Sequence, residues 1–187
     1  MKRLMIRPAI WLGMALAMFT YTASAAMVQK FDLGGLVGNA DKVFRGTVLS
    51  KEPGVVSAGG GELATVVYTL RVDDAIKGDF GQGKAASLVT LQMVGDLKSE
   101  PGNGQFERLA SFNINPDLDV GGDYVLFTTA PSSVGLSTTV GLNQGLFRVF
   151  ANAQGREMTA NGLDNSGLFQ GAVEYAELVS AIKAEIK

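Results

Sequence analysis

The chain has 187 residues, with 16 Lys and Arg against 18 Asp and Glu, and it contains neither cysteine nor histidine. Without cysteine there are no disulfides, no thiol catalysis, no thiolate metal sites and no iron–sulfur clusters; without histidine there is no Ser-His-Asp triad and no H-E-x-x-H zinc helix, so any enzyme here works with carboxylates, Lys, Tyr or a Ser–Lys pair. A mildly acidic chain with no basic cluster is a poor partner for nucleic acid or an anionic membrane surface.

The chain opens on Lys2, Arg3 and Arg7, continues with an uncharged run from Ala9 to Phe19, and reaches the small residues Ala23-Ser24-Ala25. This order predicts a cleavable secretory leader over 1–25 with an A-x-A site, cut after Ala25. The apolar run is shorter than the roughly 20 residues a spanning helix needs, so no membrane insertion is expected after cleavage. Lipid anchoring at the cut is excluded, because the chain has no cysteine. The remaining chain, 26–187, has the size of one domain. The leader removes three of the 16 basic residues and none of the 18 acidic ones, leaving 13 against 18 and a formal charge of −5. The expected location is the periplasm or the medium.

Residues 32–41 read as a short, glycine-broken helical lead-in. Lys42 to Ser50 is the first strand, with Gly46 marking a bulge or a close backbone approach. Lys51 to Glu62 reads as a loop, on Pro53 and the triplet Gly59-Gly60-Gly61. Ala64 to Val72 alternates with period two and is a strand, closed by a turn at Asp73 to Gly78. Ala86 to Val94 is a third strand, and Phe106 to Phe112 holds a further candidate. Asp123 to Thr129 and Leu146 to Phe150 are strong strands, with Ser137 to Val140 as a partner for the latter. Asn161 to Gly171 is loop-like. A C-terminal helix is expected at about 173–186, with Leu178, Ile182 and Ile186 on one stripe. With 24 glycines and many short strands, the expected fold is mainly β. It is a small Greek-key, OB-like barrel of five or six strands with a C-terminal α-helix.

Several segments carry partial signatures of chemistry. Gly78-Asp79-Phe80-Gly81-Gln82-Gly83-Lys84-Ala85 resembles a phosphate loop, but Ala85 stands where Ser or Thr must hold magnesium, and a strand follows where a helix is needed. Ser180-Ala181-Ile182-Lys183 matches S-x-x-K, yet the companion S-D-N and K-T-G motifs are absent from the chain. Asp117, Asp119 and Asp123 offer oxygen ligands of the kind calcium takes, although an EF-type loop would want further ligands where Gly121 and Thr128 stand. Glu62, Asp73, Asp74, Glu100 and Glu107 are the carboxylates from which a glycosidase pair would be drawn. Asn143 and Gln144, between Gly141 and Gly145, present two amides just before the strand that carries Arg148. These three residues form the candidate contact loop, set against the plainer reading of a glycine turn. No catalytic residue, metal ligand or cofactor is assigned.

Ala40-Asp41-Lys42-Val43-Phe44-Arg45-Gly46-Thr47-Val48, with Tyr68-Thr69-Leu70-Arg71-Val72 and Ile76-Lys77-Gly78, resembles the opening of a netrin-like domain. Tissue inhibitors of metalloproteinases are the best-known members. The later segments Gly121 to Phe127 and Gly141 to Val149 are similar to those of secreted bacterial proteins with the same opening, so the resemblance spans about 36–150. It implies an OB-type barrel. The inhibitors block a catalytic zinc through an N-terminal cysteine, which this chain does not have, so no functional residue carries over. The functional expectation is an exported, non-catalytic module that recognises another extracytoplasmic protein, a protease among the partner classes. The contact surface would come from Lys51–Glu62, Gly95–Asn115 and Pro131–Gly145. The alternatives are a carboxylate-based hydrolase and a structural envelope or surface-assembly component that adds a strand to a partner's sheet.

Overall fold

The computed structural model describes residues 29–81, 87–95, 97 and 115–186. The expected leader, the candidate strand Phe106–Phe112, Glu100, Glu107 and part of the loop Gly78–Ala85 lie outside the described residues.

Helix α1 (Leu33–Asn39) starts where the Asp32 carboxylate accepts the Gly35 N–H at 2.7 Å. Its last turn is capped from a distance: the Lys77 ammonium donates to the Val37 and Ala40 carbonyls, both at 2.6 Å, where the helix dipole favours a cation. Strands β1 (Lys42–Ala58) and β2 (Gly61–Lys77) then form a hairpin of two 17-residue strands. Gly59 and Gly60 have φ of +61° and +82°, the pair of left-handed residues that a type I′ turn demands. That turn makes strand of the expected loop Lys51–Glu62, and it pairs Val55 with Ala64 and Val56 with Leu63. The expected turn at Asp73 is likewise a continuation of β2. Register shifts fall between Val43 and Phe44, Arg45 and Gly46, and Val48 and Ser50. A Cβ on Gly46 would stand 2.7 Å from the Arg71 carbonyl oxygen, so the backbones approach there as only glycine allows.

Strands β3 (Leu88–Val94), β4 (Asp123–Thr128), β5 (Leu146–Ala151), β6 (Glu157–Asn161) and β7 (Val173–Glu174) complete one antiparallel sheet in the order β3-β2-β1-β4-β5-β6-β7. Helix α2 (Tyr175–Glu185) follows β7 directly. Ser137–Val140 does not pair with β5, because Thr139 bridges to Thr128 of β4. Strand β6 lies in a stretch from which the sequence raised no strand.

The expected OB-like barrel is incorrect: the seven strands form an open sheet. β3 and β7 are its two ends, and they make no ladder with each other. The physical reason lies in the two cores. Central strand β4 is buried on both faces. Val125 and Phe127 pack with Leu36, Val43, Phe147, Leu178 and Ile182 beneath the two helices. Tyr124 and Leu126 pack on the other face with Phe44, Tyr68, Leu70, Met93 and Leu118. A small closed barrel turns one face inward around a single core, whereas a sheet with apolar residues on both faces needs cover on both. The outer edge of β3 is met by loop groups rather than a strand: Ser137 N–H donates to the Gln92 carbonyl at 2.9 Å, and the Asn115 amide to Val94 at 2.8 Å.

Candidate functional site

The two candidate amides separate. Gly141 and Leu142 both have φ near +60° and lead into a 3₁₀ turn over Leu142–Gly145. Asn143 projects to solvent. Gln144 turns inward and is 5 % exposed. Its Oε1 accepts the Phe31 N–H at 2.9 Å, and its Nε2 donates to the Gln29 carbonyl at 2.8 Å. One side chain thus meets both an N–H and a carbonyl of the backbone from Gln29 to Phe31, as a neighbouring strand would. The Gln144 carbonyl in turn accepts from the Asn161 amide at 3.0 Å. Asn165, fully buried with φ +56°, donates to the Thr159 and Gly171 carbonyls and accepts the Asn161 N–H. Both lie in or at the edge of the stretch Asn161 to Gly171 that reads in the sequence as loop; Asn165 was not singled out there, and burial decides the role of both. Among the described residues no buried side-chain polar atom lacks a partner, so this network is a closed structural unit.

Arg45 organises a second polar cluster, on the helix-covered face. Its guanidinium meets Asp123 (Nη2 to Oδ2, 2.6 Å) and Glu157 (Nη2 to Oε1, 2.7 Å) and lies 4.7 Å from the centre of the Tyr175 ring. The Tyr175 hydroxyl donates to Asp74 at 2.6 Å. Beside it Asp73 accepts from Thr47 and from Arg71, each at 2.7 Å. The hydrogen bonds from Arg45 hold the Glu157 carboxyl below its usual range. Partial burial pushes the Asp73 carboxyl up, but the hydrogen bonds from Arg71 and Thr47 outweigh it and leave the group below its usual range. A glycosidase pair needs one carboxylic acid with a raised pKa. Asp73 and Glu157 are displaced the opposite way, and Asp73, Asp74, Asp123 and Glu157 are all engaged by the fold.

The three aspartates read as calcium ligands disperse as well. Asp117 meets Lys51 and the Tyr68 hydroxyl, Asp119 the Tyr124 hydroxyl, and Asp123 Arg45. Among the described residues no three His, Cys, Asp or Glu side chains converge as a metal site would require. A concavity of about 210 Å³ opens beside Tyr68, Met93, Leu97 and Asn115. Burial, then the bond to Asp117, keeps the Tyr68 phenol protonated well above its ordinary range.

The remaining candidate, Arg148, lies on a different kind of surface. In β5, Phe147 and Val149 face the helices, while Arg148 and Phe150 face the other way. In register across β6, Arg148 opposes Ala160 and Phe150 opposes Met158. Across β4, Arg148 opposes the buried Tyr124. The core on this face ends at Leu146. Beyond it Arg148 is exposed, Phe150 is 40 % exposed, and Met158 and Ala160 are half-buried. Arg156 and Glu174 pair with each other at the rim. α2 covers one face of β5 and β6, and among the described residues no element covers the other. Asn143 and Arg148 are thus exposed and Gln144 is internal. Phe150, Met158 and Ala160 were not singled out in the sequence, although the alternation Leu146-Phe147-Arg148-Val149-Phe150 already places Phe150 with Arg148. Compared with protein-family models, curated proteins and solved structures, the chain finds no match in any of the three.

Proposed function

We propose that this protein is an exported, non-catalytic module that recognises another extracytoplasmic protein. The observation that carries the reading is the uncovered face of β5 and β6, where Arg148, Phe150 and Met158 stand together on a rigid sheet. Aromatic residues, Met and Arg are the types enriched at protein interfaces, and an exposed apolar cluster with a polar rim marks an interaction surface rather than a catalytic cleft. The engaged carboxylates of the Arg45 cluster support the non-catalytic part. Immobilised 26–187 is challenged with the extracytoplasmic fraction of its own organism at physiological salt, beside the variant Phe150→Asp. A protein retained by the parent and lost by the variant supports the reading. Retention of nothing, or turnover of glycan substrates by the purified protein, overturns it.

A second reading, an assembly component, has one observation in its favour. Beyond Val48, whose backbone bonds to Gly121 and Gly122, the side of β1 away from β2 has no strand neighbour among the described residues. An open edge of this kind accepts a partner's strand. Pro53 lies in the middle of it and has no N–H to give, a feature that blunts edge pairing. The uncovered face is therefore preferred.

A further inference from the structure

We infer that the uncovered face of β5 and β6 selects a partner segment carrying a carboxylate beside apolar side chains, with Arg148 as the residue that reads the carboxylate. The inference rests on the binding-module reading above and deepens it by naming the partner's chemistry.

Among the described residues there are four arginines, Arg45, Arg71, Arg148 and Arg156. Three are held by carboxylates of this chain: Arg45 by Asp123 and Glu157, Arg71 by Asp73, Arg156 by Glu174. Arg148 has no ion pair among the described residues. The chain is acidic, with 18 carboxylates against 16 basic residues, and among the described residues none of those carboxylates pairs with this guanidinium. Its setting is also specific. It stands in register between Tyr124 and the small Ala160. Phe150 and Met158 sit one pleat further on, opposite each other. At the rim Arg156 and Glu174 pair with each other, so among the described residues this face offers one cation without an ion pair, next to an apolar pair. A guanidinium presents a fork of donors that matches a carboxylate in bidentate geometry. The complementary occupant has Asp or Glu set against Arg148 and an aliphatic or aromatic residue set against Phe150 and Met158. A second copy of this chain and an uncharged partner are the competing occupants.

The test places a photo-crosslinking benzoylphenylalanine at Phe150 in 26–187, with the same group at Val55 on the hairpin as the comparison site. Both proteins are irradiated with the extracytoplasmic fraction, and the cross-linked peptide is mapped. The expected result is a segment from another protein with an Asp or Glu within a few residues of the cross-link. Binding of that isolated partner should weaken at least tenfold on Arg148→Glu. Binding should return when the mapped carboxylate is replaced by Lys. Arg148 is exposed, so the variant keeps the parent's thermal midpoint, and this is checked in parallel. A mapped segment without a carboxylate, an Arg148→Glu variant that binds as the parent does, or a cross-link to a second copy of this chain overturns the inference. If the Val55 protein captures a partner and the Phe150 protein does not, this inference fails while the binding-module reading stands. If neither captures one and the pull-down is also empty, both fail.

Discussion

Gln144 shows how much one side chain can decide in a fold without disulfides. Its amide joins residues 113 and 115 positions away, so the segment before α1 is tied to the turn that leads into β5. Replacing it with Ala leaves the Phe31 N–H and the Gln29 carbonyl without these partners. Gln144→Ala should lower the unfolding free energy by about 2 kcal/mol in a urea titration, with faster amide exchange at Phe31. The tyrosines make a second prediction at this scale. Tyr68, Tyr124 and Tyr175 are each raised above the ordinary phenol value, first by burial. For Tyr68 and Tyr175 the carboxylates they donate to, Asp117 and Asp74, raise it further. A phenol whose folded pKa is raised stabilises the fold below the unfolded value, about 10, and that contribution is lost as pH rises toward the folded value. In 26–187, whose tyrosines are these three, phenolate absorbance at 295 nm should therefore stay low past pH 10 and rise together with the loss of near-ultraviolet dichroism. A separate earlier wave would show that these phenols are solvated.

The β1–β2 hairpin and the Arg45 cluster are properties of elements. At the hairpin tip a Cβ on Gly60 would meet open space, yet its φ of +82° suits glycine. Gly60→Val should cost about 1–2 kcal/mol from backbone conformation alone, read as a drop in thermal midpoint with the sheet content unchanged. Arg45 ties β1 to β4 through Asp123, to β6 through Glu157 and to α2 through the Tyr175 ring. Glu157 carries a depressed folded pKa. Its contribution is complete above the unfolded carboxylate value, about 4.3, and is lost as pH falls through the lower folded value. Glu157→Gln should flatten the decline of the thermal midpoint between about pH 4.5 and 3, where the carboxylates ionise in the unfolded chain. Because Glu157 is largely exposed, the change at pH 7 should be small, on the order of 1 kcal/mol or less. An unchanged acid slope would mean that the pair is screened by solvent.

At the scale of the molecule, β4 joins the two cores, because Val125 and Phe127 belong to one and Tyr124 and Leu126 to the other. Loss of either core therefore exposes the same central strand. The domain should unfold in one cooperative transition, with fluorescence and dichroism coinciding. Phe127→Ala, at a fully buried ring packed 5.6 Å from Phe147, should remove about 4 kcal/mol. Two separate transitions would show that the helix-covered core stands on its own.

The sequence by itself determined the chemistry that is impossible here, since no arrangement of this chain supplies a thiol or an imidazole. It also made β4, β5 and α2 legible, through short runs rich in aromatic and branched residues and a 3.6-residue apolar stripe. It misread Lys51–Glu62, because Pro53 and three glycines signal a loop locally while the type I′ turn they contain holds two strands together. The tertiary structure alone decided that the sheet stays open, that Gln144 points inward, and that no described element covers the face bearing Arg148 and Phe150. The physical reason is common to all three. A period of two assigns residues to one side or the other of a strand. Which side meets a core, a helix or solvent depends on neighbours far away in the chain, such as Tyr124 across from Arg148 and Phe31 beside Gln144.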